Sequence, residues 1–170
     1  LSTPFMALAQ AGREIYRIAL ISLTMVDLSH KALLHNDEKA LKEVFENEEL
    51  VDTLCYNVEN YLDRIPTNEL SEEDFQRHIR LIHAITDIER TADLSNNIAV
   101  SARDKIEKEK QFTEIATNEM NSMFKKVRLA YKDSIEALNR EDMELAKKVT
   151  ELEDQIDAFE KKFKKNKIRR

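Results

Sequence analysis

Residues 70–107 read LSEEDFQRHIRLIHAITDIERTADLSNNIAVSARDKIE, and the apolar residues in this stretch recur every three or four positions. This is the period of an α-helix that buries one face. Ser71 is a typical N-cap residue, and Asp74 follows it at the third helical position, which is the spacing of a capping box. The pattern therefore predicts a helix from Ser71 to about Lys110, on the order of 60 Å long at 1.5 Å per residue.

The same helical period extends over nearly the whole chain. Thr3 followed by Pro4 is a typical helix start, and the ring of Pro66 disfavours helical geometry at the residue before it. Such signals divide the rest of the chain into four further helices, over about residues 4–34, 37–65, 113–139 and 141–168. Long helices joined by short loops pack as antiparallel neighbours. The sequence therefore predicts an all-α, antiparallel long-helix bundle in a single domain, residues 1–170.

Composition excludes several classes of protein. The chain has one Gly and one Cys among 170 residues. A single Gly cannot supply the positive-φ corners of an all-β fold or a Gly-rich phosphate loop. Cys55 alone excludes a disulfide framework and a cysteine-based zinc site, and it fits a reducing cytosol. The most apolar stretch, Ile15 to Val26, contains Arg17 and is shorter than the roughly 20 residues of a membrane span. We therefore expect no span and no signal peptide. Because the chain starts at Leu1 rather than Met, we expect it to be a fragment or a processed chain.

Charge is divided unevenly along the chain. Residues 161–170 carry seven positive charges and no negative one, so the first 160 residues carry a net charge of −13. Such an acidic body repels nucleic acid, which we do not expect as a partner. The basic end could lie near an anionic membrane surface. It could also be the solvated end of a helix, where cations favour the helix dipole, and we favour this second interpretation.

The chain also matches itself at a shift of 105 residues. Residues 29–54 and 134–159 align without a gap, and nine of the 26 positions are identical. The match predicts an internal repeat in which the first and second helices correspond to the fourth and fifth. The first unit would cover about residues 4–110 and a partial second unit about 113–168. A sixth helix would lie beyond residue 170, so the second unit is expected to be incomplete.

Three pairs of acidic residues have Glu-x-x-x-Asp spacing, which places both carboxylates on one face of a helix. The pairs are Glu48 with Asp52, Glu89 with Asp93, and Glu153 with Asp157. The first pair falls within an apolar stripe formed by Leu41, Val44, Phe45, Cys55 and Leu62. The second continues the line of Phe75, Ile79 and Ile82 toward Asn97 and Val100. The third lies beside Ala146, Val149 and Ile156. All three are therefore expected to face the core, where carboxylates require a counter-charge.

A multivalent cation would neutralise several such pairs together. Carboxylates with no partner cysteines suit Mg²⁺, Ca²⁺, Mn²⁺ or iron. Two alternatives stay open: an acidic rim exposed to solvent, and pairing with Arg90 and Arg103. The four histidines form no His-x-x-x-His or Glu-x-x-His pattern, so a ferritin-like di-iron oxidase is not expected.

The helix over residues 70–107 resembles the central helix of the PhoU-like family. The resemblance lies in Glu89, Arg90 and Asp93, followed by Asn97-Ile98-Ala99. The opening LSTPFMALAQAGREIYRIA is similar to the start of the cytoplasmic PhoU-like domain that follows the membrane part of bacterial sodium-dependent phosphate cotransporters. The pair Glu153 and Asp157 fits the same pattern, so the resemblance covers nearly the whole chain.

The resemblance implies two pseudo-repeated three-helix units and a non-enzymatic role in phosphate transport or its control, on the cytoplasmic side of the cell membrane. It implies metal ions at the three acidic pairs, with iron, zinc, manganese, magnesium and calcium as candidates. The implied partners are the membrane part of the transporter or another phosphate-transport component, and a second copy in a homodimer. Three alternatives remain: a free-standing PhoU-like regulator, a carboxylate-bridged metalloenzyme and a metal-free helical scaffold.

Overall fold

The computed structural model describes residues 3–140 and 149–168, which form five α-helices and no strand. The helices are α1 (Pro4–His35), α2 (Glu38–Asp63), α3 (Glu72–Glu107), α4 (Glu114–Arg140) and α5 (Val149–Ile168), with a short 3-10 turn at Thr67–Glu69. The predicted all-α fold is confirmed. The predicted start of the fifth helix at Glu141 lies outside the described residues.

Side-chain caps fix the helix starts where the sequence places them. Thr3, Asp37, Ser71 and Thr113 each accept a hydrogen bond from the backbone N–H three residues later, at 3.4, 3.0, 3.1 and 3.1 Å. Each bond satisfies a donor that has no partner within the helix. Four of the helix starts are therefore set by the residue immediately before the helix.

Helix α1 lies at the centre of the bundle and packs against α2, α3 and α4. Its inward residues, among them Leu8, Ile15, Ile18 and Leu33, are fully buried. Helix α4 runs antiparallel to α1, since Arg128 pairs with Asp27 at 2.8 Å and Tyr131, further along α4, hydrogen-bonds to Ser22, earlier in α1. Helix α5 then folds back on α4.

The end of α1 is held by a lysine from α3. Asn36 adopts a left-handed conformation with φ of 54°, which ends the helix. Lys105 is buried and donates to the Leu33 carbonyl at 2.8 Å and to Asn36 Oδ1 at 2.9 Å. A cation at this position satisfies carbonyl oxygens that the helix end leaves without donors. These bonds fix the axial position of α3 relative to α1.

By length and composition alone, α1 is also apolar enough to cross a membrane. Core helices of soluble proteins meet the same criterion, and the inward face of α1 is covered by three other helices. One helix of this kind is weak evidence for a membrane span.

The predicted core face of α3 is wrong. Phe75, Ile82 and Val100 were expected to point inward with the acidic pair, but their exposed fractions are 39%, 41% and 38%, and Asn97 is also exposed. The buried face is the neighbouring one, with Leu81, Ile85, Ile88, Ala92, Ile98 and Ala99. Because α3 packs against α1, α2 and α5, it buries a broad arc that includes the polar Thr91 and Ser95. A hydropathy pattern does not mark buried hydroxyl groups, so it predicts a buried stripe one face away from the observed one.

Candidate functional site

The structure brings two of the three predicted acidic pairs together. Helices α2 and α3 are antiparallel neighbours, and Glu48 and Asp52 of α2 lie beside Glu89 and Asp93 of α3. Glu59 of α2, two helical turns beyond Asp52, joins them next to Glu89. We call these five residues the acidic seam. The seam contains five carboxyl groups from two helices.

Two carboxyl groups of the acidic seam are hard to ionise. Burial raises the pKa of Glu48 from 4.5 to about 7, with further contributions from the charges of Asp52 and Asp93. Burial likewise raises the pKa of Glu89 to about 7, with contributions from Glu59, Asp52 and Asp93. Ionising all five groups at neutral pH therefore costs free energy unless a positive charge arrives.

In the part of the chain that the structure describes, the carboxyl group of Glu48 lacks a hydrogen-bond donor or a cation as its partner. Its Oε2 atom is buried and has no hydrogen-bond donor within the described residues. The carboxyl group of Asp93 lies within hydrogen-bonding reach of the Glu48 carboxyl group. Two carboxylates can only accept, so this contact becomes favourable only when a proton or a cation lies between them.

The acidic seam is open to solvent on one side. Asp52, Glu59 and Asp93 are exposed, whereas Glu48 and Glu89 are half-buried. Cys55 lies beneath the seam, and burial with the neighbouring acids raises the pKa of its thiol to about 12. It stays protonated at neutral pH and is a poor metal ligand. Ions can thus reach a site whose available donors are all carboxylate oxygens.

Such an oxygen-only donor set suits a hard cation. Within the described ranges, however, no three His, Cys, Asp or Glu side chains are arranged to hold one ion. Coordination would therefore require the exposed carboxylates to turn inward about their side-chain torsions. The carboxylate oxygens of the acidic seam are of the kind that bind a hard metal ion. Metal binding by Glu48, Asp52, Glu89 and Asp93 stays a prediction.

The third predicted pair, Glu153 and Asp157 on α5, forms ion pairs with an arginine, whose single charge offsets one of the two carboxylates. Arg90 Nη2 lies 2.7 Å from Asp157 Oδ1, and Arg90 Nη1 lies 3.6 Å from Glu153 Oε1. The two carboxylates are about half exposed rather than facing the core. Of the two arginines considered from the sequence, Arg90 pairs with acids and Arg103 lies 5.2 Å above the Phe45 ring centroid.

Sequence reasoning missed two acids near these pairs, Glu59 and Asp87. Glu59 follows Asp52 by seven residues, which is about two helical turns. The two residues therefore share a face of α2, and the helical period could have identified Glu59. Asp87 is 7% exposed, and burial raises its pKa to about 6. Glu153 raises this pKa further, whereas His83 and Arg90 lower it. Its burial comes from contacts between helices, which no spacing in the sequence predicts.

Comparison with known families gives the wider context of these helices. The PhoU domain matches residues 15–102 and 120–170 of the chain. The chain belongs to the PhoU domain family. The two matched segments of this PhoU chain start at Ile15 and Met120, which are separated by the same 105 residues as the internal sequence match. The repeat itself stays a prediction.

Curated relatives of this PhoU chain are larger proteins. The "Putative inorganic phosphate export protein YjbB" of Salmonella typhimurium (strain LT2) is 28% identical over 128 residues, which are 73% of this chain and 23% of the relative. The protein of that name from Escherichia coli (strain K12) is 30% identical over 105 residues, 62% of this chain and 19% of the relative. The chain spans about a fifth of the length of these relatives. No solved structure matches it.

Proposed function

We propose that this chain is a non-catalytic regulatory domain of a phosphate transport protein, on the cytoplasmic side of the membrane, in the manner of the C-terminal domain of a sodium/phosphate cotransporter. Membership of the PhoU family supports a regulatory role. Relatives named for inorganic phosphate export support phosphate as the transported substrate. These relatives extend far beyond the matched part, which leaves room for a transporting part in the same polypeptide.

Cation binding at the acidic seam would be the signal that regulates transport. Without a cation, ionised carboxylates on α2 and α3 repel each other across the interface. Coordination by Glu48, Asp52, Glu89 and Asp93 would remove this repulsion and draw the two helices together. A bound divalent or trivalent ion supplies positive charge here, and no reaction is required of it. The change in the α2–α3 interface would be passed to the membrane part or to another phosphate-transport component.

One observation carries this proposal: Glu48 and Glu89 both have a pKa of about 7 and both face further acids of the acidic seam. A solvated acidic surface would not raise these values, because exposed carboxylates are stabilised by water. Two half-buried acids that ionise only near neutral pH are poised to exchange protons for a cation.

Elemental analysis of protein purified without chelator tests the site. The test variant is Glu48→Gln with Asp93→Asn, and the control is Glu49→Gln with Glu107→Gln, which removes two exposed acids from the same two helices. We expect bound metal in the natural chain and in the control, and at least tenfold less in the test variant. Equal metal content in all three, or none in any, would contradict the proposed site.

Phosphate flux tests the role. Cells producing the full polypeptide that carries this domain should change their rate of phosphate movement when Glu48→Gln and Asp93→Asn are introduced, whereas the control pair should leave the rate unchanged. An unchanged flux with metal lost would show that the site does not regulate transport.

A further inference from the structure

Arg90 lies between two groups of acids but pairs with only one of them. It follows Glu89 directly in the sequence, yet successive helical residues point about 100° apart. Its guanidinium accordingly turns away from the acidic seam and reaches across to α5. There it lies 2.7 Å from Asp157 and 3.6 Å from Glu153. The same two carboxylates have the spacing of the seam pairs.

The guanidinium contacts both carboxylates and so occupies space that an ion bridging the pair would share. Metal ions coordinate carboxylate oxygens at roughly 2.0–2.6 Å, closer than the Arg90 Nη2 contact with Asp157. A guanidinium cannot lose its proton at physiological pH, so it cannot yield the place by titration. A multivalent cation that bridges the pair would therefore have to compete with Arg90 and overcome its positive charge.

The surroundings of the pair would otherwise favour a cation. Asp87, which is buried on α3, is close enough to Glu153 for the two charges to interact. Removing Arg90 would leave three acids from two helices, a smaller version of the acidic seam. Within the described part of the chain, no other cation forms an ion pair with Glu153 or Asp157.

The geometry points to Arg90 as a selectivity residue, which occupies the Glu153–Asp157 pair as its permanent counter-ion and confines metal ions to the acidic seam. This inference rests on the proposed function for the presence of an ion at the seam. What it adds is that Arg90 makes the two acidic sites differ in their affinity for metal ions. The two adjacent residues thus have different roles. Glu89 is part of the proposed ion site, and Arg90 keeps metal ions from the Glu153–Asp157 pair.

Paramagnetic broadening of backbone amide signals by Mn²⁺ tests this division, because it locates a bound ion. Arg90→Gln removes the charge, Arg90→Lys keeps the charge without the planar fork, and Arg103→Gln removes one charge elsewhere on α3. Circular dichroism checks that each variant stays helical. In the natural chain, Arg90→Lys and Arg103→Gln, we expect broadening centred on residues 48–52 at low Mn²⁺ concentration, and broadening centred on residues 153–157 only at high concentration. In Arg90→Gln, residues 153–157 should also broaden, at a Mn²⁺ concentration about tenfold or more below that required in the natural chain, since one opposing charge is gone.

The outcomes separate the inference from the proposed function. Broadening centred on residues 153–157 in Arg90→Gln without any at residues 48–52 supports the role of Arg90 and overturns the seam site. Broadening at the seam alone in all four proteins overturns the role of Arg90 and leaves the seam site standing. Equal broadening of α5 in the natural chain, or in Arg90→Lys and Arg90→Gln alike, overturns the role of Arg90. Absence of broadening anywhere overturns both.

Discussion

The acidic seam and the Glu153–Asp157 pair have the same Glu-x-x-x-Asp spacing but opposite electrostatic surroundings. At the seam, acids of α2 face acids of α3, and burial with mutual repulsion raises the pKa of Glu48 and Glu89 to about 7. On α5, the pair faces Arg90 of α3 and forms ion pairs with it. Spacing alone therefore does not define an ion site in this fold. What the neighbouring helix presents decides whether an acidic pair needs an external cation.

The largest expected difference between the two regions is their response to a divalent cation. A ligand that binds only the folded chain, at about 100 times its Kd, raises the free energy of unfolding by about 2.7 kcal/mol. We expect Mn²⁺ to stabilise the natural chain by this amount in urea unfolding. Glu48→Gln with Asp93→Asn should abolish the effect, and Glu153→Gln with Asp157→Asn should leave it nearly unchanged. If the Glu153→Gln with Asp157→Asn variant lost the effect instead, the ion would bind the α5 pair and not the acidic seam.

The second difference is in the pH dependence of stability without metal. Glu48 and Glu89 have a pKa of 4.5 as the reference value and about 7 in the folded chain, so the folded state binds more protons between these values. Stability contributed by these groups is therefore fully present below about pH 4.5, falls as pH rises and is lost above about pH 7. After allowance for their partial exposure, we expect the fall to total about 2 kcal/mol.

This pH effect is measured as a difference between proteins. Urea unfolding of the natural chain and of Glu48→Gln with Glu89→Gln, each from pH 5 to pH 8, should give curves that converge at low pH. The variant should be the more stable protein at pH 8. A variant that loses stability at pH 8 would show that the two charges are already compensated.

A smaller effect is expected when Arg90 is removed. Its partners are about half exposed, and ion pairs of this kind contribute about 0.5–1 kcal/mol. Arg90→Gln should lower the free energy of unfolding by this amount at low ionic strength and by less in about 1 M NaCl, where charges are screened. A double-mutant cycle with Asp157→Asn isolates the pair. A coupling energy near zero would mean that the contact contributes nothing to stability.

The sequence predicts the fold better than the site because helices are encoded locally. The N-caps at Thr3 and Ser71 and the break at Pro66 lie within a few residues of the helix ends they set. Helix length and short loops then require antiparallel neighbours, which is why two acidic pairs on α2 and α3 meet. This much of the acidic seam follows from spacing.

The rest of the site depends on contacts between residues far apart in the chain. Arg90 reaches acids 63 and 67 positions away, and no periodicity shows which of the acidic pairs it will meet. Asp87 is buried among packed helices, where Glu153 of α5 and Tyr131 of α4 lie near it. The core face of α3 was misplaced for a related reason. A helix covered by several neighbours buries more than one stripe, and Phe75 and Val100 then lie on its exposed side.

The smallest expected effect separates the parts of the acidic seam from each other. Asp52 is exposed, and its pKa is raised by partial burial and by Asp93. Because water screens most of this repulsion, Asp52→Asn should stabilise the metal-free chain at pH 8 by only a few tenths of a kcal/mol. Glu49→Gln on the same helix should have no effect. A gain from Asp52→Asn as large as that from Glu48→Gln would show that the repulsion is spread evenly over the seam, whereas a small one places it at the half-buried acids that a cation would neutralise.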